Sequence, residues 1–367
     1  MSGTRAGREN KISFKTYHPR PSERGRKRME NSECMQREKG EKEMTFREKV
    51  HIIISLAGCI SKAAIGMLDG TEYYKHRAIY RMKDRGLVEK RKKAWCMTKA
   101  GLEDSKLWRN KIPEKYTKNA GQMRKAFLKS SEGEVRRRLY QSEVLAAMLE
   151  SGVELWISSD ETPEPGSVVY IGSKKMKEDY IGENKSINMT RAVGTLIVGS
   201  QKLINVYAMG NGTITWVHSR ESKYKVWSEN KYLKMEGNPR EAEALLLIDS
   251  TGNLKRFIGT SMDKGGPIRA GDIYKRMYVL PKNQMGTSLL AVLILPGSKQ
   301  VAEEISREYN ASNFILPDLV ELKRYQMTGT ERVCCIEGYG EGVKEVVPGA
   351  DVIEIPMEEV IGRIVNQ

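Results

Sequence analysis

Cysteine, histidine and large aromatics are scarce: 5 Cys, 4 His, 5 Phe and 5 Trp in 367 residues. Cys34, Cys59, Cys96, Cys334 and Cys335 are odd in number and form no C-x-x-C pair. That argues against a disulfide framework and against a zinc ribbon. His18, His51, His76 and His218 are scattered, and no pair stands at metal-ligand spacing. No apolar run approaches the roughly 20 residues that span a bilayer. The longest, around 289–295, reads as a strand and stops at Pro296. The charged N-terminus has no apolar signal core, so the expected location is the cytoplasm, with no membrane partner. Nucleotide loops are missing too. Leu295-Pro296-Gly297-Ser298-Lys299 lacks the spacing of a phosphate loop, and Gly338-Tyr339-Gly340-Glu341-Gly342 lacks G-x-G-x-x-G. The sequence therefore predicts no cofactor and no bound metal.

Basic charge is what the chain has in excess. It carries 62 Lys and Arg against 47 Asp and Glu, a net charge of +15. Such a balance favours a polyanionic partner, nucleic acid first. An anionic membrane surface would call for an amphipathic helix with a large aromatic face, and none is evident.

The stretch 45–108 organises the rest. Thr45-Phe46-Arg47-Glu48 is a capping box, and Val50, Ile53, Ile54 and Ala57 follow at helical spacing up to Gly58. Ser61 can cap a second helix, with Ile60 and Ile65 as a hydrophobic staple. Asp69-Gly70 breaks the chain and Thr71 can cap a third helix. There Ala78, Ile79 and Met82 make the inward stripe, while Tyr73, His76, Arg77, Tyr80 and Arg81 share the other side. Gly86-Leu87-Val88 starts a strand, Arg91-Lys92-Lys93 sits where a hairpin would turn, and 94–97 returns. Thr98 opens another helix.

The run H-R-A-I-Y-R-M-K-D-R-G-L-V at 76–88, followed by M-T-x-x-G at 97–101, resembles the winged helix–turn–helix DNA-binding domains. Many of these carry Leu where Met82 and Met97 stand, a volume-conserving change. The resemblance implies that the third helix enters the major groove and reads base edges with its Arg and His. It implies that the Arg91–Lys93 wing holds phosphates. Protein–protein use of the same fold is the alternative.

Around this stretch, 1–44 is polar and predicted disordered. Its cluster Arg24, Arg26, Lys27, Arg28 could add phosphate contacts. Met44, just before the first cap, is a possible alternative start. Residues 109–140 are basic, with Arg136-Arg137-Arg138, and read as a linker with helical pieces. The region 141–367 reads as an α/β domain. Its expected elements are a helix at 141–151, strands at 154–157 and 168–171, an antiparallel meander through 192–198, 203–209 and 213–217, a helical turn near 240–242, and 244–249 as the next meander member. Beyond them come a buried strand at 288–295, a helix at 298–309, strands at 332–336 and 351–355, and a helix at 357–365. The fold class expected is thus mixed α/β (α+β): an N-terminal winged helix, then a mixed α/β domain with an antiparallel meander.

One pattern suggests chemistry. Glu221-Ser222-Lys223 is an E-x-K triplet, with Glu143 and Asp160 upstream. It resembles the PD-(D/E)-x-K nuclease arrangement, which implies Mg²⁺-assisted phosphodiester cleavage. E-x-K is frequent by chance in so charged a chain, so the sequence leans away from an enzyme. A wider resemblance rests on L-A-G-C-I-S-K-A-A-I at 56–65, the 76–88 run, T-R-A-V-G-T-L at 190–196 and Y-A-M-G-N-G-T-I-T-W at 207–216. These are similar to the replication-relaxation proteins of plasmids and integrative conjugative elements. The likeness implies double-stranded DNA as partner, together with replication or transfer proteins or a second copy of the chain. A ligand-responsive transcriptional regulator is the remaining alternative.

Overall fold

A computed structural model describes residues 44–107, 112–156, 168–180, 190–198, 202–208, 217–233, 241–250, 254, 270–294, 298–325 and 331–366. The expected tail, Asp160 and all of the expected 213–217 strand except Val217 lie outside the described residues, and Val217 immediately precedes a helix. Residues 44–367 form one compact unit. It opens with α1 (Phe46–Ala57), α2 (Lys62–Met67), α3 (Glu72–Asp84), β1 (Val88–Arg91), β2 (Ala94–Met97) and α4 (Lys99–Leu107). The expected caps are present. The Thr45 hydroxyl accepts from Glu48 N while the Glu48 carboxylate accepts from Thr45 N, Ser61 accepts from Ala64 N, and Thr71 accepts from Tyr74 N. Gly58 ends α1 at φ +86°, and a Cβ there would stand 2.6 Å from the Met123 carbonyl. Backbone conformation and space both demand glycine at that position.

The expected linker is packed structure instead. After α5 (Glu114–Thr117), helix α6 (Ala120–Lys129) buries Ala120, Met123 and Phe127. Helix α7 (Glu132–Glu150) is continuous, so the boundary expected at 140/141 falls inside a helix. Its start is a second capping box, Ser131 with Glu134. Interruption by Gly121 and Gly133 is harmless, because each sits near a helix start, where a backbone without a side chain costs least.

Next come β3 (Glu154–Trp156), β4 (Val168–Gly172), α8 (Ser173–Asp179), β5 (Ala192–Val198), β6 (Lys202–Ala208), α9 (His218–Tyr232), β7 (Glu243–Ile248), α10 (Ala270–Ile273) and β8 (Met277–Pro281). These strands form one six-stranded sheet in the order β3-β4-β5-β6-β7-β8. The meander β4-β5-β6 is antiparallel as expected. Strand β7 is not its next antiparallel member: it pairs parallel to β6, and β8 parallel to β7. The cause is the α9 crossover, which carries the chain back to the starting end of the sheet. The helical turn expected near 242 is absent at Glu241 and Ala242, which lead directly into β7.

The chain closes with α11 (Thr287–Ile294), α12 (Ser298–Glu308), β9 (Asn313–Ile315), α13 (Leu319–Tyr325), β10 (Arg332–Ile336), α14 (Gly340–Val346), β11 (Asp351–Ile355) and α15 (Met357–Val365). Strands β9, β10 and β11 make a second sheet, parallel throughout. The strand expected at 288–295 is helix α11. An apolar run without period fits a fully buried helix as well as a buried strand.

Two apolar cores face opposite sides of the large sheet. Ile204, Val206, Leu245 and Leu247 point to one, while Leu203, Tyr207, Ala244 and Leu246 point to the other, at the two-residue period of a strand. The first core runs without a break from α1 and α3 through α7 to the sheet and α11. No helix among the described residues is long and apolar enough to cross a membrane.

Candidate nucleic-acid interface

Helix α3 has two sides. Ile79 and Met82 are buried, and Lys75 turns its ammonium back to the Gly66 carbonyl at 2.7 Å. The other side holds Tyr73, His76, Arg77, Tyr80 and Arg81, all exposed, with Tyr73 at 74%. Their spacing of three and four residues puts them on one stripe. The His76 and Tyr80 rings lie 4.3 Å apart, and Tyr80 meets Trp95 of β2 edge-on at 5.8 Å. Among the described residues, no hydrogen bond or ion pair engages the guanidinium of Arg77 or Arg81.

The hairpin is fixed to these helices at both ends. Ile60, between α1 and α2, exchanges backbone hydrogen bonds with Trp95 at 2.8 and 3.0 Å. The motif M-T-K-A-G has a direct physical reading. Thr98 N donates to Leu87 O at 3.0 Å, the Thr98 hydroxyl reaches Gly86 O, and Gly101 N donates to that hydroxyl at 2.9 Å. A Cβ on Gly101 would stand 2.0 Å from Leu87 O, so this close approach admits only glycine.

Strands β1 and β2 pair Arg91 with Ala94, leaving Lys92-Lys93 as a two-residue turn. Both residues have positive φ, +50° and +66°, a conformation that two-residue hairpins favour and lysine does not. Lys92 is not a free phosphate contact. Its ammonium donates to the carbonyls of Phe127, Leu128 and Ser130 at 3.3, 2.9 and 2.6 Å. It thereby satisfies the carbonyl end of α6, where a cation is most favourable. Arg91 bonds Glu89 at 2.8 Å yet remains 61% exposed, and Lys93 is exposed. The reach of a lysine across to another helix is invisible to local sequence.

Arg138, of the basic triplet, is structural as well: it donates to Ala57 O at 2.9 Å and to Ser130 Oγ at 3.2 Å. Arg136 and Arg137 are exposed. Beneath the face, Lys49 pairs with Glu150 at 2.8 Å and with Asp69 at 3.6 Å, tying α1 to α7. Burial pushes the Glu150 carboxyl up, and it pushes the His51 imidazole down, where Nδ1 donates to Arg47 O at 3.0 Å. The Cys59 thiol is pushed up to about 12 by burial, which leaves it protonated and unreactive.

The nuclease candidates do not come together. Glu221 and Lys223 lie in the first turns of α9, not on a strand. Residues two apart share a side of a strand but lie about 200° apart around a helix. Glu221 is 1% exposed and accepts from the Thr190 hydroxyl, Arg191 N and the Tyr207 hydroxyl at 2.6, 2.9 and 3.1 Å. Lys223 points to solvent. Glu143 is held by Ser61 at 3.1 Å and by Lys282 at 2.9 Å, and Lys282 also reaches Asp249 at 2.8 Å. Among the described residues, no three His, Cys, Asp or Glu side chains gather as a metal-binding group. No family model matches this chain, and neither does any curated protein or solved structure.

Proposed function

We propose that residues 45–108 work as a winged helix–turn–helix that binds duplex DNA, with α3 in the major groove. The observation that carries this reading is the outward stripe of α3. Two guanidiniums, an imidazole and two tyrosines stand together on a helix whose opposite side is fixed in the core. A helix fits the major groove, and Arg pairs with guanine through two hydrogen bonds. Arg91 and Lys93 supply phosphate contacts from the hairpin, without Lys92. The net charge of +15 supports a polyanionic partner. The resemblance to replication-relaxation proteins adds a setting: replication or transfer of a mobile element, with the rest of the chain engaging partner proteins or a second copy.

The test is fluorescence anisotropy of the full chain on duplex DNA across a salt series. We expect log affinity to fall linearly with log salt, by about 0.9 per phosphate contact. Arg77→Ala with Arg81→Ala should weaken binding to a selected site about tenfold or more, and binding to random duplex much less. Equal loss on both duplexes would remove the reading role of α3. No duplex binding by the full chain would remove the proposal.

A further inference from the structure

The hairpin β1–β2 has neighbours on both faces. Alternate residues of a strand point opposite ways. Trp95 of β2 meets Tyr80 of α3, with ring centres 5.8 Å apart. Ala94 and Cys96 face the other way and pack with Phe127 of α6 and Val135 of α7. The hairpin therefore lies between α3 and the corner where α6 ends and α7 begins.

The tip of the hairpin touches that corner. The Lys92 ammonium donates to the Leu128 and Ser130 carbonyls at 2.9 and 2.6 Å, on either side of Lys129. The carbonyl end of a helix carries partial negative charge and would repel a phosphate beside the wing. Lys92 offsets it. Arg138 does the same for the end of α1, through its 2.9 Å bond to the Ala57 carbonyl.

Four cations of the corner remain exposed. Lys125 and Lys129 stand one turn apart on α6, and Arg136 and Arg137 lie in the second turn of α7. Among the described residues, no hydrogen bond or ion pair engages Lys125, Lys129 or Arg137. Arg136 has a 4.0 Å pair with Glu132, between side chains 68% and 93% exposed, which holds it weakly. Glu134 is turned back into the helix cap, where its carboxylate accepts from Ser131 N at 2.8 Å.

We infer that this corner is a second phosphate-binding surface, which carries the duplex contact past the wing. The inference rests on the reading of α3 as the groove helix. With α3 in the major groove and the wing on the adjacent backbone, the corner is the next part of the protein along the flanking duplex. Exposed Lys and Arg suit phosphates, which they hold without reading bases. The corner thus lengthens the site and adds affinity, not sequence preference.

The test is anisotropy of the full chain on two duplexes that share one selected site. One ends about 3 bp beyond the site, and the other carries flanks of about one helical turn, roughly 10 bp. The combined variant Lys125→Gln, Lys129→Gln, Arg136→Gln, Arg137→Gln changes exposed groups alone and should fold as the parent does. On the long duplex we expect its salt slope to fall by about 2 and its affinity by about tenfold or more. On the short duplex its affinity should stay within about twofold of the parent's. Its preference for the site over random long duplex should not change. A control variant, Lys223→Gln, Lys231→Gln, Lys275→Gln, Lys299→Gln, lowers the net charge equally and should leave the slope as it is. An unchanged slope in the corner variant, an equal loss on the short duplex, or an equal fall in the control would overturn the inference and leave the α3 reading standing. Failure of the parent chain to bind either duplex would remove the α3 reading, and this inference with it.

Discussion

Helices α3 and α9 are written in nearly the same letters and do opposite work. The first reads E-Y-Y-K-H-R-A-I-Y-R-M-K-D and the second H-S-R-E-S-K-Y-K-V-W-S-E-N-K-Y. Both are charged, tyrosine-rich and poor in aliphatic residues. Yet α9 turns its polar groups into the sheet. Tyr224 is fully buried, its hydroxyl 2.5 Å from Thr195 Oγ1, while Asn205 donates to Ser228 at 3.2 Å and to Tyr274 at 3.1 Å. Every one of these groups has a partner, so the cluster fixes a unique packing of α9 on β5 and β6. Helix α3 sends Tyr73, Arg77 and Arg81 outward, and among the described residues no hydrogen bond or ion pair engages either guanidinium. Polar composition therefore does not tell an outward helix face from a buried one. What separates them is whether the fold has used the polar groups.

The comparison breaks most sharply at Glu221. Glu221→Ala should cost about 3 kcal/mol in urea unfolding, since it removes the acceptor of the Thr190 and Arg191 donors and one of the two partners of the buried Tyr207 hydroxyl. Tyr73→Ala on α3 should cost less than about 0.5 kcal/mol. Similar costs for the two would erase the distinction between the helices.

A finer version lies within one turn. Lys92→Met should destabilise by about 1 kcal/mol through loss of the α6 carbonyl contacts, with little change in the salt dependence of DNA binding. Lys93→Gly should do the reverse, relieving a positive φ while lowering the salt slope by about one phosphate contact. If Lys92→Met flattens the salt slope as much as Lys93→Gly does, both lysines face DNA.

The smallest effect concerns the buried imidazole of His51, which vanishes at neutral pH and grows below it. Burial holds its folded-state value below the ordinary 6.5. Above 6.5 neither state takes a proton. As the pH falls through 6.5 the unfolded chain protonates first, so stability is lost until the lower folded-state value is reached. That slope is at most about 1.4 kcal/mol per pH unit. Urea midpoints at about pH 7.5 and about pH 5.5 should converge in His51→Gln relative to the parent chain. An unchanged gap would place the acid sensitivity elsewhere.

Local rules carried the sequence far at the N-terminus. The caps at Thr45, Ser61 and Thr71, the αL glycine at 58 and the inward Ile79 and Met82 all depend on neighbours within a few residues. Strands 332–336 and 351–355 and the helix at 357–365 were likewise legible from their periods and flanks. What stayed hidden depends on distant partners. Helix α11 and a strand look alike as an all-apolar run until burial on every side is known. The direction of β7 was decided by a crossover and not by its own residues. Glu221-Ser222-Lys223 has the letters of a site, but a helix separates side chains that a strand would align. Lys92 and Arg138 resembled free charges because their carbonyl partners lie 35 and 81 residues away.

Helix α7 has a mechanical meaning. It is a rod of 19 residues, about 28 Å long, with no break along its length. Two turns from its start it is clasped by the Arg138 bond to Ala57, one turn further on by Ser142 and Glu143 against Ser61, and at its far end by Glu150 against Lys49. Glu143 also holds Lys282, which follows directly on β8 of the sheet. The helices that present the α3 stripe are thus bolted along a stiff beam, not hung from a tether. Tension applied to them would travel down that beam into the sheet, and the two would yield together under load.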